Sequence, residues 1–365
     1  TGLPVYGLTV SKEVNRIPHA KILIIDGSPA KQDFEVSNQD WFVPGNVIEI
    51  KLGYLGGEAP VFKGIVIKQQ ITIRRGVSML EVDCRDAAYR MTLRRQGRYF
   101  ENMKDSDAAI QILQSYGITP QVSDTGYSLS ELVQHDCTDW DFLVCRMECN
   151  GLLVIIDDGL ARIQAPDFKQ EVALHLEHGA TVIEFDGHLE LRDQHEQVAM
   201  RYWDPKEQII LEAFAKEPGI KENGNLSGLT LAPSNGQKKI TWRHGGRSND
   251  AEMQAWANAR LLKDRLSRTC GRVQFQGYNL IKPGQIVMLR GFGQRFDGPV
   301  YVAAVHQEYL ESGWLTEIEF GLSPKWFAEI VRTEAPRVVG MLPPVSGLQI
   351  GIVTQIEDDP EGMSR

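Results

Sequence analysis

The segment that decides the fold occurs twice. The first copy begins at Pro44-Gly45 with NVIEIKLGY (46–54), continues from Pro60 with VFKGIVIKQQITIRRG (61–76) and ends with SMLEVDCRD (78–86). The second begins at Pro283-Gly284 with QIVMLRGFG (285–293), continues from Pro299 with VYVAAVHQEYLESG (300–313) and ends with WLTEIEFGL (314–322). In both copies a Pro-Gly turn precedes three apolar runs rich in β-branched residues, which predicts a meander of antiparallel strands.

The two copies also share their spacing. Pro44 and Pro283 lie 239 residues apart (283 − 44), and so do Pro60 and Pro299 (299 − 60). Two meanders can resemble each other by chance, because short alternating strands have similar patterns, but the equal spacing favours an internal duplication. The side chains expected to point inward are Val47, Ile65, Ile67, Leu80 and Val82 in the first copy, with Ile286, Ala304 and Ile318 as counterparts in the second.

Length and composition indicate a globular protein of two or three domains. The chain has 365 residues, of which 42% are hydrophobic and 24% charged, so each domain can bury its own core. The net charge of −9 argues against nucleic acid as the main partner, because phosphate binding needs clustered lysine and arginine. The one basic cluster is interpreted as a solvated surface, with a subunit interface as the alternative; it comprises Arg90, Arg94, Arg95 and Arg98.

Hydropathy and cysteine usage argue against a membrane-spanning or disulfide-rich secreted protein. No run approaches the roughly 20 apolar residues of a membrane span, and none near the N-terminus has the form of a signal peptide. The cysteines are odd in number and irregularly spaced, which is typical of a reducing compartment. We therefore expect five free thiols, at Cys84, Cys137, Cys145, Cys149 and Cys270.

Changes of periodicity divide the chain into five segments. Residues 1–97 alternate as strands do and predict a first β-barrel-like domain, residues 98–168 predict a small α+β insert, and residues 169–330 predict a second β-barrel-like domain with a loop and helix insertion at 205–270. Residues 331–346 are predicted to be an extended linker. Residues 347–365 are predicted to be the start of a further β domain, because a lone strand cannot bury itself. The predicted fold class is thus mainly β with an α+β insert.

Within the insert, local signals predict two helices and a hairpin. Capping oxygens of the Asp105-Ser106-Asp107 run predict a first helix that ends at Gly117. A second helix is predicted to begin at Thr138, and Asp158-Gly159 is a strong hairpin turn signal.

The sequence predicts no catalytic, cofactor-binding or metal-binding residues. The phosphate loop G-x-x-x-x-G-K-[ST], the nucleophile elbow G-x-S-x-G and the zinc motif H-E-x-x-H are missing. His195-Glu196 starts like the last of these, but Ala199 occupies the place of the second histidine. Gly291-x-Gly293 matches a dinucleotide loop weakly and is interpreted as a turn between strands.

The best metal candidate is Cys145 with Cys149, one helical turn apart, with Cys137 and His135 upstream. No paired C-x-x-C occurs, so thiols in the core are the favoured interpretation. His175 and His178 would lie on opposite faces of a strand, where sharing a metal is difficult.

Two pairs of adjacent carboxylates are candidates for acid–base chemistry. Asp157-Asp158 and Asp358-Asp359 both lie in predicted turns. In turns, carboxylates usually accept hydrogen bonds from backbone amides, so a structural role is favoured over a catalytic one.

Three stretches carry a resemblance to one family. TDWDFLVCRMECNGLLVIIDDG (138–159) is similar to the Ser/Thr-Asp-x-Asp-Phe-Leu helix, glycine and hairpin of VgrG proteins and the related tail hub proteins of contractile phages. FKGIVIKQQI (62–71) resembles that family's strand after the Pro-Gly turn. GLQIGIVTQIEDDPEGMSR (347–365) resembles the start of its oligosaccharide-binding-type domain at the base of the spike. The resemblance spans nearly the whole chain, and its motifs are structural.

The resemblance implies an assembly protein without catalytic activity or cofactors. Members form homotrimers at the centre of a baseplate, where two barrel-like domains per chain build a pseudo-sixfold ring between a hexameric inner tube and a membrane-piercing spike. The implied partners are inner tube protein, baseplate proteins and a spike tip or effector cargo, without nucleic acid or stable membrane insertion. Three chains with two similar β units each present six similar faces, which agrees with this implication.

The resemblance also implies synthesis in the cytoplasm without a signal peptide, and delivery in a phage-tail-like particle outside the cell or into a target cell. Type VI secretion, a phage tail and an extracellular or membrane-anchored injection particle stay open as the machine, and the family implies that the chain continues past Arg365. The alternative function is a cell-wall-degrading enzyme of a phage tail tip, which would need two separated carboxylates or a metal in a cleft.

Overall fold

The computed structural model describes residues 3–204, 207–236, 239–244 and 248–331. Its strands are β1 Val5–Glu13, β2 His19–Ile25, β3 Val47–Leu52, β4 Ala59–Arg74, β5 Val77–Arg85, β6 Arg95–Lys104, β7 Thr119–Val122, β8 Ser128–Thr138, β9 Leu153–Asp157, β10 Leu160–Gln164, β11 Val172–Glu177, β12 Val182–Leu189, β13 Gln197–Asp204, β14 Ile209–Phe214, β15 Lys239–His244, β16 Thr269–Gln276, β17 Ile286–Arg290, β18 Gly298–Leu310 and β19 Gly313–Phe320. Its α-helices are α1 Asp105–Ser115, α2 Asp139–Cys149, α3 Gly228–Leu231, α4 Asp250–Ser267 and α5 Phe327–Ile330. The prediction of a mainly β protein with an α+β insert is confirmed.

Two β units with the same strand order share one continuous sheet. The first β unit has the order β1-β2-β5-β4-β3, and the second has β12-β16-β19-β18-β17 with β11 beyond β17. β1 pairs antiparallel with β18 and so joins the units along what we call the seam. Each unit has its own apolar core, which includes Phe62 and Leu80 in the first and Val273 and Ile318 in the second.

The Pro-Gly turns make the same hydrogen bonds in both units. The N–H of Gly45 donates to the carbonyl of Val66 at 2.8 Å, and the N–H of Gly284 donates to the carbonyl of Val302 at 2.8 Å. Each valine N–H donates back to the residue after the glycine, at 2.9 Å in both cases. Both glycines have positive φ, +106° and +88°, the conformation for which glycine is the default residue.

The irregularities of strand register recur as well. β1 shifts against β2 between Val5 and Gly7, and β12 shifts against β16 between Val182 and Glu184. The β4–β5 pairing shifts after Val66 and the β18–β19 pairing shifts after Val302. Since bulges are specific local features, their recurrence with the common strand order confirms the predicted duplication of the meander.

The equal spacing of the prolines does not extend into the strands. Val66 and Val302, equivalent by their hydrogen bonds, lie 236 residues apart (302 − 66), whereas the turn glycines lie 239 apart (284 − 45). The first copy is therefore three residues longer between turn and valine, and Pro60 and Pro299 are not equivalent. Strand pairing identifies the true counterparts, which a match of landmark residues cannot.

The α+β insert forms as its local signals predict, with one exception. Thr138 caps α2 by accepting the N–H of Asp141 at 3.1 Å, and the β9–β10 turn has positive φ at both Asp158 and Gly159. The prediction that aspartate or serine oxygens cap α1 is wrong, because its N-cap is Lys104, without a side-chain hydrogen bond. Asp105 instead forms a buried ion pair with Arg146 at 2.7 Å.

Two further expectations need correction. Among the described residues the strand pairing of the large sheet is an open path, so neither unit is a closed barrel by its own hydrogen bonds. Val47 is 70% exposed, because the edge strand β3 turns this side chain to solvent, and Ile67 is only half-buried. The predicted linker beyond Val331 and the new strand at 347–365 lie outside the described residues.

Candidate interaction surfaces

The continuous sheet carries a row of polar side chains that crosses the seam. Strand register places Glu317 opposite His306, His306 opposite Ser11, Ser11 opposite His19 and His19 opposite Arg85. All five side chains are exposed or half-buried, whereas the alternate residues of the same strands enter the cores. One face of the sheet therefore packs the protein interior, and the other is polar from one β unit to the next.

His306 lies in this row at the seam. Its Nδ1 lies 2.9 Å from the Ser11 hydroxyl and its Nε2 lies 3.3 Å from Glu319 Oε1. The hydrogen bond that His306 Nε2–H donates to the Glu319 carboxylate raises the pKa of His306 and lowers the pKa of Glu319. Burial raises the pKa of Glu13 on the neighbouring strand. The arrangement concentrates ionisable groups where the units meet.

The side chains of His306, Glu317 and Glu319 also form a possible ligand set. One nitrogen or oxygen from each lies within 4.8 Å of the others. Sequence reasoning missed this group, because His306 reaches the two glutamates only through the β18–β19 register. The one local signal was the pair Glu317 and Glu319, two apart in a strand and hence on one face.

Several strands of the large sheet have a partner on one side only in the described residues, and two of these edges, β12 and the second half of β4, occupy equivalent positions to the strands of the seam. β12 pairs only with β16. β4 pairs with β3 as far as Ile65, but its second half, Lys68 to Arg74, pairs only with β5. The equivalent half of β18 has β19 on one side and β1 on the other. Apolar side chains are exposed on both edges, with Ile73 at 66% and Ile183 at 57%.

The Asp157-Asp158 turn links the insert to both β units. Lys12 of β1 contacts Asp157 at 2.7 Å and Asp158 at 3.2 Å, and Lys282 contacts Asp157 at 2.7 Å. Asp158 also accepts the N–H of Lys63 at 2.9 Å. Burial opposes ionisation of Asp157, but the two lysines hold its pKa below the ordinary value. These contacts give the carboxylate pair a structural role, as the turn context favoured.

In the described part of the chain, the cysteines named as a metal candidate are not brought together with other ligands at metal-binding spacing. All five cysteines are free, and in the described part of the chain the one group with metal-ligand spacing is the His306 set. Burial raises the pKa of both Cys145 and Cys149 to about 12. In the absence of a metal ion both thiols are therefore protonated at neutral pH.

The other residues considered as functional candidates from the sequence do not come together in one site among the described residues. His195 is buried and its Nδ1 lies 2.9 Å from Asp264 Oδ2, a pair that spans 69 residues and could not be read from sequence. Gly291 and Gly293 both have φ of +80° in the β17–β18 connection, as expected of a turn. His175 lies on β11 and His178 follows its end. Asp358-Asp359 lies outside the described residues.

The helices bear on whether the chain could cross a membrane. Over the ranges that the structure describes, none combines the length and the apolar character that a bilayer crossing requires.

Comparison with known proteins gives one family and a set of similar folds. The family model described as the Alg8 N-terminal domain matches residues 1–311. No curated protein matches the chain significantly.

Among solved structures, the chain is similar to the 43 kDa tail protein of prophage MuSo2 from Shewanella oneidensis, with 13% identity, a TM-score of 0.63 and coverage of 88% of this chain and 93% of that chain. It is similar to the tail protein from Neisseria meningitidis MC58, with 15% identity, a TM-score of 0.64 and the same coverages, 88% and 93%. It is also similar to the E. coli c3393 protein, a component of the type VI secretion system that exhibits structural similarity to T4 bacteriophage tail proteins gp27 and gp5. That match has 10% identity, a TM-score of 0.53 and coverage of 89% and 76%. At these identities the likeness concerns the fold.

Proposed function

The chain belongs to the family described as the Alg8 N-terminal domain, and we propose that it is a structural protein of a phage-tail-like particle with no catalytic step of its own. More specifically, we propose the hub of a contractile injection system, a homotrimer between a hexameric inner tube and a spike. The fold shared with phage tail proteins and a type VI secretion component supports the first statement. The second rests on the duplication and on its unpaired edges.

The observation that carries the proposal is that the strands equivalent to the two seam strands have unpaired edges. Equivalence of the two units relates β1 to β12 and β18 to β4. The pairing of β1 with β18 inside the chain therefore has a possible duplicate, the pairing of β12 with the second half of β4, and both of these edges lack a partner strand in the described residues. Within one chain the two edges lie at opposite ends of the sheet path. A second copy of the chain can bring them together.

The strand register of the seam predicts which residues would face each other in this contact between two chains. Thr9 pairs with Glu308 at the seam. The β1–β2 and β12–β16 registers make Asp186 the counterpart of Thr9, and the β4–β5 and β18–β19 registers make Thr72 the counterpart of Glu308. By the same mapping, Glu190 of one chain lies opposite Lys68 of the next, with complementary charge. An unpaired strand edge exposes backbone N–H and C=O groups that can pair with a strand of another chain.

The contact joins different surfaces of two chains, and head-to-tail contacts of this kind close into rings or continue as filaments. Three chains give six β units with alternating internal and intermolecular seams. Six is the number that matches an inner tube of six subunits, whereas two or four chains give four or eight. The polar face that carries His306 and Glu317 would then be continuous around the ring.

Disulfide cross-linking tests the contact. The double variant Asp186→Cys, Thr72→Cys is oxidised and run on a denaturing gel, and light scattering of the unoxidised protein gives its mass. We expect a trimer by mass and covalent dimers and trimers on the gel. The matched control, Asp186→Cys with Ile73→Cys, shifts one cysteine to the opposite face of β4 and should cross-link poorly.

A monomer by light scattering, or equal cross-linking in both variants, would refute the ring. The unsubstituted chain is run in parallel because it has five thiols. Addition of inner tube protein to the trimer, followed by sedimentation, tests the adaptor role separately.

A further inference from the structure

We propose that His306, Glu317 and Glu319 form a binding site for a divalent transition-metal ion at the seam between the two β units. One ligand atom from each residue lies within 4.8 Å of the others. One imidazole and two carboxylates are established ligands of zinc and its neighbours, at bond lengths of about 2.0 to 2.2 Å. The site lies within a single chain and does not depend on the proposed ring.

The backbone holds the three side chains together. His306 and Glu317 are directly opposite on β18 and β19, and Glu319 follows two residues later on the same face. Directly opposite residues of an antiparallel pair have Cβ atoms about 5 Å apart. The sheet therefore fixes the spacing of the ligands, and only side-chain torsions remain to be set.

Ser11 orients the imidazole. Its hydroxyl lies 2.9 Å from His306 Nδ1, while Nε2 points to Glu319 at 3.3 Å. Nδ1–H can donate to the serine oxygen, so a metal ion that replaces the proton on Nε2 would be bound by a nitrogen that already faces Glu319. Metal-binding histidines almost always use their second nitrogen in this way. Because Ser11 belongs to β1, a bound ion would also involve both units.

The charged residues around the site are mostly acidic, and the site is open to solvent. A depression of about 470 Å³, lined in part by Glu13, His19, Glu308 and Glu317, opens beside the histidine. The cationic side chain paired with Glu317 is Arg272, but its guanidinium is 2.7 Å from Asp186 and 3.9 Å from Glu317. Arg272 therefore pairs mainly with Asp186 and leaves oxygens of Glu317 for a metal.

The first β unit supplies an internal control. The register places Gln70, Glu81 and Asp83 at the positions of His306, Glu317 and Glu319. These residues have the same strand geometry and similar charge but no imidazole. Substitutions there change the same kinds of side chain on an equivalent surface.

Calorimetric titration of the full chain with Zn²⁺, after removal of metal with EDTA, tests the proposal. We expect one ion per chain, with binding lost in His306→Ala and weakened in Glu317→Gln and Glu319→Gln. Ser11→Ala should weaken it about tenfold, the effect usual for a partner of a metal-binding histidine. Gln70→Ala and Glu81→Gln should bind as the unsubstituted chain does.

Titration with Co²⁺ identifies the ligands. We expect the visible spectrum of a nitrogen and oxygen site, without absorption from thiolate-to-cobalt charge transfer. A thiolate band, binding well below one ion per chain, or the same affinity in His306→Ala would overturn the proposal. Should His306→Ala unfold, the two glutamine variants carry the test, because they keep the shape of the glutamates. A monomer that binds one ion would leave this site intact and refute only the ring.

Discussion

The two β units have the same frame, but they differ in how their first two strands are connected. In the first unit, residues 14–18 join β1 to β2. In the second, residues 190–268 join β12 to β16 and carry β13, β14, β15 and α4. Closing a longer loop costs little extra entropy, so the insertion is tolerated when both ends return to neighbouring strands. Strand pairing and the glycine turn are therefore the features that the two units share, and the connections between strands are where they differ.

The inserted connection is held in its own shape partly by buried polar groups that pair with one another. His195 and Arg260 both contact the carboxylate of Asp264, at 2.9 and 3.0 Å. Arg268, 1% exposed, donates to the carbonyl of Asn223 at 2.7 Å. Buried charges need such partners, because desolvation without them is costly. The first β unit needs no comparable network, since its β1–β2 connection is short.

The largest effect is expected from a charge placed in one core at a time. Ile318 and Val82 are equivalent by register and both are 0% exposed. Ile318→Asp and Val82→Asp should each lower the free energy of unfolding by more than about 4 kcal/mol, because each buries an unpaired carboxylate. Urea unfolding followed by tryptophan fluorescence measures this.

The same experiment shows whether the seam couples the units. If the pairing of β1 with β18 is strong, each variant unfolds in one transition. Two separated transitions, with only the substituted unit destabilised, would mean that the units are thermodynamically independent.

A smaller effect should distinguish the two turn glycines. Both have positive φ, so Gly45→Ala and Gly284→Ala each strain the backbone by about 1 kcal/mol. A Cβ on Gly284 would lie 2.5 Å from Ile155 Cδ1, whereas one on Gly45 would meet nothing within 4 Å. We therefore expect Gly284→Ala to cost about 2 to 4 kcal/mol in total, and Gly45→Ala about half that or less. Equal costs would show that Ile155 moves aside freely.

Sequence reasoning succeeded where the signal is local. The Thr138 cap and the Asp158-Gly159 turn depend on residues within four positions, and both form as expected. The motif at 138–159 has a structural basis as well: Asp139 is fully buried and accepts hydrogen bonds from Tyr116 and Gln134 at 2.7 and 2.8 Å. Its partners lie on other elements, so the pattern could be seen but not explained.

Reasoning from sequence failed where the outcome depends on which strands meet. Pro60 and Pro299 suggested one alignment of the copies, and hydrogen bonds at Val66 and Val302 gave another. The set around His306 needs the β18–β19 register, and the seam needs a pairing between strands almost 300 residues apart. Alternation gives the face of a residue but not its neighbour across the sheet.

The two lysines that hold Asp157 should differ in importance, because one comes from each unit and their exposures differ. Lys12 is 9% exposed at its side chain and Lys282 is 41% exposed. Lys12→Met should lower stability by about 2 kcal/mol, since it leaves a shielded carboxylate with one fewer charged hydrogen bond. Lys282→Met should cost less than about 1 kcal/mol, as exposed ion pairs do. Thermal unfolding of both variants measures the difference, and a reversed order would place the stronger link on the second unit.

The smallest effect is the pH dependence that Asp157 contributes. Its folded pKa is lower than its ordinary value, because contacts with Lys12 and Lys282 outweigh the effect of burial. A depressed carboxyl pKa stabilises the folded state above the unfolded pKa, and that stabilisation is lost as the pH falls through the folded pKa. Asp157→Asn should therefore be less stable than the unsubstituted chain at neutral pH, by on the order of 1 kcal/mol. The two stability curves should converge below about pH 4. Asp40→Asn, which removes the same charge from an exposed side chain, controls for the change in net charge. Parallel curves for Asp157→Asn across the acid range would mean that the carboxylate does not bridge the two units in solution.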